Sequence, residues 1–453
     1  MKAPLRIANA QGFWGDWLEA PRLQIENGPI DYLILDYLAE VTMSILQKQK
    51  ARDPSLGYAR DFPALADNLL PQLIDKDIRV VSNAGGVNPR ACAERVLESA
   101  RKQGLRGVKV AVIDGDDIFS RLDEMLERGV RFDDIDSNRP LAEVRERVLS
   151  ANVYLGAFPL AEALATGARI VVAGRVTDTA LALGPMIYEF GWGGEEWDKL
   201  AAGVVAGHIL ECGAQATGGN FSKDWRGMPD LERVGFPLVE ASPDGSFVVT
   251  KHPSLGGRVS RATVTEQLVY ELGDPRQYLT PDCRVDFSSI ELEDEGEDRV
   301  RVSGVKGGPR PPTLKTSITY AAGWKAVGTL TYSWPEAADK AREANRIVRA
   351  RLSDLGLRFE QIHTELLGVD ACHGSAAAPN PDPPEVQLRI GVRGDDRTAV
   401  DRFTRELIPL VLNGPPTATG FGEGRPPVRE VVAYWSSLLP REEIQSSVEV
   451  LES

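Results

Sequence analysis

Cysteine and histidine are scarce in this chain: its 453 residues hold four of each. The cysteines, Cys92, Cys212, Cys283 and Cys372, are widely scattered and show no CxxC spacing. That argues against a zinc knuckle or a disulfide framework and fits a reducing cytoplasm. Long apolar runs are missing too, since none reaches the ~18–20 residues of a membrane span. The N-terminus passes into a strand-like stretch with no signal-peptide core or cleavage site, so a cytoplasmic protein with no membrane partner is expected. Positive charge is in deficit, with 52 Lys and Arg against 66 Asp and Glu for a formal net charge of −14. This balance disfavours nucleic acid and anionic membranes as partners. An acidic chain must hold an anionic ligand with local devices, such as helix N-termini and a few arginines. No dinucleotide fingerprint or Walker A loop occurs, which lowers the dehydrogenase reading.

What is present reads as globular. Hydrophobic residues make up 42% and charged residues 26%, as in ordinary folded domains, and the length exceeds what one core usually holds. Strand-like runs at 5–10, 30–36, 78–82, 108–113 and 169–173 alternate with segments of helical spacing. The expected fold is α/β, a mainly parallel sheet flanked by helices in the N-terminal half, followed by a mixed α+β region. The expected division is 1–220 as the α/β domain, 221–334 as a β-rich region and 335–453 as a small α+β region. In the last, a helix is expected over 335–355 and another over 397–412, around a Pro-rich loop at 373–384 and before a Gly/Pro-rich connector at 414–427. The acidic run 291–298 reads as a solvated turn.

Ligands of parallel sheets bind at the carboxyl ends of the strands. The loops there, 9–16, 83–88, 114–117 and 174–178, are rich in small and polar residues. Asn9, Gln11 and Asn83 are candidate substrate contacts on them. Gly85, Gly86 and Asn88, ahead of Pro89 and a helix, form a plausible anion cradle, with a plain tight turn as the alternative. Arg175 is a candidate clamp for a carboxylate or phosphate. Asp178 is a candidate base or metal ligand, or else a helix cap.

The most unusual stretch is 207–220. His208 and Cys212 are four apart, on one face of a helix, with Glu211 beside them. They offer a general base, an acid or base, and a nucleophile or soft ligand. A satisfied core histidine and a structural cysteine are the bland reading. Gln215, Thr217 and Asn220 follow as candidate substrate-binding residues. The Lys251, His252 and Arg258 patch is a weaker phosphate candidate, and Cys372–His373 reads as surface loop.

With these residues the chain resembles the acyclic terpene utilisation (AtuA) family. The matching stretches are 7–16 (Ile-Ala-Asn-Ala-Gln-Gly-Phe-Trp-Gly-Asp), 81–89 (Val-Ser-Asn-Ala-Gly-Gly-Val-Asn-Pro), 174–178 (Gly-Arg-Val-Thr-Asp), 208–220 and 414–426. They span nearly the whole chain; the C-terminal ferredoxin-like domain of longer relatives is expected to be absent. The resemblance implies a pathway running through CoA thioesters and a lyase step on a branched 3-hydroxyglutaryl-CoA-like intermediate. The expectation is therefore a C–C or C–O lyase, or a hydratase, acting on a carboxylated or CoA-thioester metabolite. A non-catalytic subunit that needs a partner and a thioester hydrolase using Cys212 are the alternatives. A divalent metal would suit enolate stabilisation, but no ligand set is evident. CoA enters as part of the substrate, and a homo-oligomer is expected.

Overall fold

A computed structural model describes residues 4–378, 380, 382–420 and 424–453. The chain divides into two units, residues 1–319 with 434–453, and residues 320–433. In the first, the strands met along the chain are β1 (Leu5–Asn9), β2 (Tyr32–Leu35), β3 (Arg79–Ser82), β4 (Lys109–Asp114), β5 (Val148–Val153), β6 (Ile170–Ala173), β7 (Leu238–Ala241) and β8 (Phe247–Thr250). β1, β2, β3, β6 and β4 lie side by side in that order, all parallel. Antiparallel strands complete a ten-stranded sheet. β7 pairs with β1, with Ile7 opposite Val239, and β8 and the hairpin Glu291–Asp294/Val300–Ser303 extend that side. Ser447–Glu452 closes the other side against β4.

The parallel strands are mostly aliphatic, with polar residues at their ends, because both faces are covered. Successive residues enter opposite cores, as the pleat requires. Ile7, Ile34, Val81 and Val171 join one, and Ala8, Leu33, Val80 and Val172 the other. The helices are α1 (Ala20–Glu26), α2 (Glu40–Arg52), α3 (Asp61–Asp75), α4 (Pro89–Lys102), α5 (Leu122–Glu127), α6 (Phe158–Ala165), α7 (Ala180–Phe190), α8 (Trp197–Glu211) and α9 (Arg261–Val269). α6, α7 and α8 supply the first core and α1, α3 and α4 the second. The adjacent strands β3 and β6 therefore feed helices on opposite faces, α4 and α7. That is the arrangement which opens a crevice at the strand carboxyl ends.

In the second unit, helix Ala337–Asp354 lays Ala337, Ala341, Ala344, Val348 and Leu352 on a core with Leu330, Leu388 and Ile390. These come from antiparallel strands, in which Leu330 faces Leu388 and Leu366 faces Leu388 from the other side.

Four expectations need correction. Residues 221–319 do not form a region apart, because β7, β8 and Val300–Ser303 extend the first sheet along the free edge of β1. The supposed solvated turn begins as a strand, Glu291–Asp294. The helix expected over 397–412 is two, Arg397–Phe403 and Leu410–Asn413, with Pro409 at the second N-cap, where its missing N–H interrupts a continuous helix. The last region begins before 335 and ends before 453: the second unit is residues 320–433, starting within the long strand Thr313–Ser333, and residues 434–453 belong to the first unit. Parts of the 373–384 loop and the 414–427 connector, residues 379, 381 and 421–423, lie outside the described residues. Among the described residues, no helix is long and apolar enough to cross a membrane.

Candidate functional site

Each central strand delivers a polar side chain to one edge of the sheet. β1 ends on Asn9, β2 runs into Asp36, β3 into Asn83, β6 towards Arg175 and β4 towards Asp116, and all five side chains are buried. Buried polar groups need partners, and these find one another. Asn83 Nδ2 donates to Asp36 Oδ1 at 2.7 Å, and Asn83 Oδ1 accepts the Tyr37 N–H at 2.8 Å. Asn9 Oδ1 accepts the Gln11 N–H and Asn9 Nδ2 donates to the Gln11 carbonyl, both at 3.1 Å. Burial, followed by the charge of Asp178, holds the Asp36 carboxyl well above the usual range, against the pull of Arg175.

Arg175 is fixed rather than free. Its Nε donates to Val176 O and its Nη1 to Leu38 O, each at 2.9 Å, while Nη2 pairs with Asp178. The guanidinium lies 4.5 Å over the Tyr154 ring, a cation–π contact. Its backbone N–H donates at 2.8 Å to Asp116 Oδ2, which also accepts Asn152 Nδ2 at 2.9 Å. Burial pushes Asp116 up to about 7 despite these bonds. Arg175 is 1% exposed, so the face open to a ligand is that of Asp178, at 39%. The capping alternative for Asp178 does not apply either, since α7 starts after Thr179 with no side-chain cap.

Helix α8 is buried from Leu200 to Leu210, and a glycine on it and one in the loop after β1 let backbone approach closely. A Cβ on Gly207 would stand 2.5 Å from Thr179 O, and one on Gly12 3.0 Å from Glu211 O. Through those two contacts the loops after β6 and β1 meet the end of α8. There His208 Nδ1 and Glu211 Oε1 are 2.8 Å apart, and His208 Nε2 is 3.3 Å from Leu268 O. A carbonyl only accepts, so Nε2 carries a hydrogen and Nδ1 shares one proton with Glu211. Burial pushes the His208 imidazolium down, but the charge and hydrogen bond of Glu211 more than offset this and hold it above the usual value. Burial holds Glu211 above the carboxylate range, His208 opposes this, and the charges of Asp178 and Glu271 add to it. Shifts of this kind are typical of proton-transfer groups.

The remaining candidates are distributed around this pair. Gln267, fully buried, donates to His208 O at 2.8 Å and accepts from Gln215 Nε2 at 2.9 Å. Asn220 Nδ2 reaches Gln215 Oε1 at 3.4 Å, and Thr217 Oγ1 lies 2.5 Å from Gly235 O. Burial and the Glu211 charge push the Cys212 thiol up to about 12, which leaves little thiolate. The 83–88 loop is a tight turn and not an open anion cradle. Gly85 N–H donates to Ala173 O at 3.0 Å, Gly86 N–H to Asn83 O at 3.2 Å and Asn88 N–H to Gly85 O at 2.9 Å. Asn88 sits at the N-cap of α4 without a side-chain cap, and its Nδ2 holds Pro54 O and Leu56 O at 2.9 and 2.7 Å. The Lys251–His252 patch is likewise internal. Lys251 Nζ bonds Leu255 O at 2.7 Å and lies 3.0 Å from Asp298, and His252 Nε2 is 3.0 Å from Gln24 O. Among the described residues, no three His, Cys, Asp or Glu side chains are grouped to hold a metal ion.

Sequence reasoning missed Asp36, Asp116, Tyr154, Gln267 and Tyr278. The two aspartates carried a signal, as each follows a buried parallel strand. The others carried none. The Tyr278 ring centroid is 5.8 Å from that of His208. Burial raises its phenol pKa, and the charges of Glu211 and Asp178 raise it further.

Fold and site thus define an α/β protein with a buried, hydrogen-bonded histidine–glutamate pair at the carboxyl edge of a parallel sheet. The model of the family described as "Acyclic terpene utilisation family protein AtuA" matches residues 5–450, and the chain belongs to that family. Membership ties it to acyclic terpene utilisation and specifies no reaction. No curated protein and no solved structure matches the chain.

Proposed function

We propose that this chain is a lyase that breaks a C–C or C–O bond of a carboxylated or CoA-thioester metabolite. The observation that carries the reading is the His208–Glu211 pair, one proton held between two buried groups at 2.8 Å beside the part-exposed Asp178 carboxylate. A group that is mostly buried yet keeps one edge open, as Glu211 does at 13% side-chain exposure, is suited to move a proton in a site that excludes water. In a retro-aldol cleavage Glu211 takes the proton of the hydroxyl on the carbon β to the thioester. The O–H pair becomes the new C=O, the bond between the α and β carbons breaks, and its electrons pass to the thioester as an enolate. The Tyr278 hydroxyl donates a hydrogen bond to the enolate oxygen. Glu211, now protonated, returns its proton to the α carbon. Arg175 holds Asp178, and Gln267 holds Gln215, so both are positioning contacts.

The low acidity of Cys212 weighs against thioester hydrolysis through a cysteine nucleophile. The test is incubation of the purified chain with 3-hydroxyacyl and 3-hydroxyglutaryl-type CoA thioesters, with products identified by mass spectrometry. Cleavage that falls by about 10²–10⁴ in Glu211→Gln supports the reading. Thermal stabilisation by a thioester with no turnover makes the chain a binding subunit instead.

A further inference from the structure

The carboxyl edge of the sheet has a second opening, on the face covered by α1 and α3. A cavity of about 520 Å³ is walled by Leu18, Pro21, Leu65 and Leu69, and Gln11 and Tyr37 also line it. Leu18 is 67% exposed at this opening, whereas Gln11 and Tyr37 are each only 1% exposed. Gln11 donates one amide hydrogen to Phe13 O at 2.6 Å, and its own carbonyl remains as an acceptor. Among the described residues, none forms a hydrogen bond with the Tyr37 hydroxyl. Arg22, the one cation among the described residues lining the cavity, is already paired. Arg22 pairs with Glu19 at 2.9 Å and with Glu26 at 2.5 Å, and Asp61 accepts Trp14 Nε1 at 2.9 Å.

We infer that this cavity is a binding site for a neutral aliphatic molecule carrying one hydroxyl or carbonyl group. The leucine and proline walls gain by leaving water. The Tyr37 hydroxyl and the Gln11 side-chain carbonyl line the cavity without a hydrogen-bond partner among the described residues, and a ligand hydroxyl supplies both a donor and an acceptor. Among the described residues lining the cavity no unpaired cation offsets the desolvation of an anion, so a carboxylate is disfavoured. The helices flanking this cavity are those of the second core, whereas Glu211 and His208 belong to α8, on the first. The inference therefore does not depend on the proposed lyase reaction.

The test is calorimetric titration of the full chain with 1-octanol and, separately, with octanoate. The expected result is saturable binding of 1-octanol, with octanoate at least about tenfold weaker. Tyr37→Phe should weaken 1-octanol about tenfold. Leu18→Asp, at an exposed position where folding is not at stake, should abolish it. Glu211→Gln should leave it unchanged. No saturable binding up to the solubility of 1-octanol overturns the inference. So does binding indifferent to Leu18→Asp, or equal affinity for octanoate.

Discussion

His208 Nδ1 stands 2.8 Å from Glu211 Oε1, three residues on along the same helix, while its Nε2 faces the Leu268 carbonyl at 3.3 Å. One ring nitrogen is thus fixed as a donor and the other shares its proton with a carboxyl group. A second buried histidine, His252, meets the Gln24 carbonyl at 3.0 Å and, among the described residues, pairs with no carboxylate. The two should titrate on opposite sides of the ordinary imidazole value. Burial lowers His252; at His208 the carboxylate more than offsets burial. In Glu211→Gln the charge goes and the burial stays, so the His208 midpoint should drop below the ordinary value. The imidazole Cε1–H resonances, followed by NMR against pH, provide the measurement. A His208 midpoint that ignores Glu211→Gln would disprove the shared proton.

Asp116 carries a cost of the same chemical origin. Its carboxyl, held by the Arg175 N–H and Asn152 Nδ2, titrates at about 7 in the fold against an ordinary 3.8. The native state therefore binds more protons than the unfolded chain between those values. Stability contributed by this group is lost as pH rises from about 4 to about 7 and changes no further above that. Asp116→Asn keeps an oxygen acceptor and removes the titration. Its advantage over the native chain should grow across that window to a few kcal/mol, on the order of 3–4. Urea unfolding at pH 4, 6 and 8 measures it; an advantage that is flat with pH contradicts the assignment.

Gly207 tests how closely the site depends on helix packing. A methyl group there would stand 2.5 Å from Thr179 O and 2.6 Å from Thr179 Cα, backbone atoms that cannot swing aside. Gly207→Ala should cost about 1–3 kcal/mol and lower turnover as well, because the displaced backbone carries Asp178. Gly273→Ala, at a glycine with nothing within 4 Å, is the control and should leave both unchanged. Equal thermal midpoints for the two variants would refute the close approach of α7 and α8.

These residues also show what the chain discloses before it folds. Runs such as Tyr32–Leu35 and Ile170–Ala173 are aliphatic because both faces of a parallel sheet are covered, so the central strands were legible from composition alone. His208 and Glu211 were legible as a pair because helical spacing is local. The partner of Asn83, Asp36, lies 47 residues away, and Gln267 meets His208 across 59 residues; no spacing rule connects either pair. Gly85 and Gly86 misled because a glycine pair before a helix suits an anion or a tight turn equally. Only the Ala173 carbonyl, 3.0 Å from the Gly85 N–H, decides between them. The extension by β7 and β8 was hidden for a similar reason. Local alternation identifies a strand but not the edge on which it will pair, here that of β1.

Cys212 adjoins Glu211, and that adjacency separates the two chemistries the segment allows. A nucleophilic cysteine needs a nearby cation or helix N-terminus to hold its thiolate. Cys212 has the opposite surroundings, at the C-cap of α8, with burial and the Glu211 charge pushing its thiol up to about 12. Cys283 is pushed equally far by burial, and Cys92 is raised by burial alone. Cys372 is exposed. Iodoacetamide at pH 8 should therefore label Cys372 first and leave the other three largely unmodified in the folded chain, as read by peptide mass spectrometry. Cys212→Ser should turn over substrate at the native rate, because Glu211 and His208 keep their geometry without the sulfur. If Cys212 is instead labelled as fast as Cys372, or if its serine variant is dead, the segment works through a thiolate. Proton transfer by Glu211 would then be the wrong chemistry for this site.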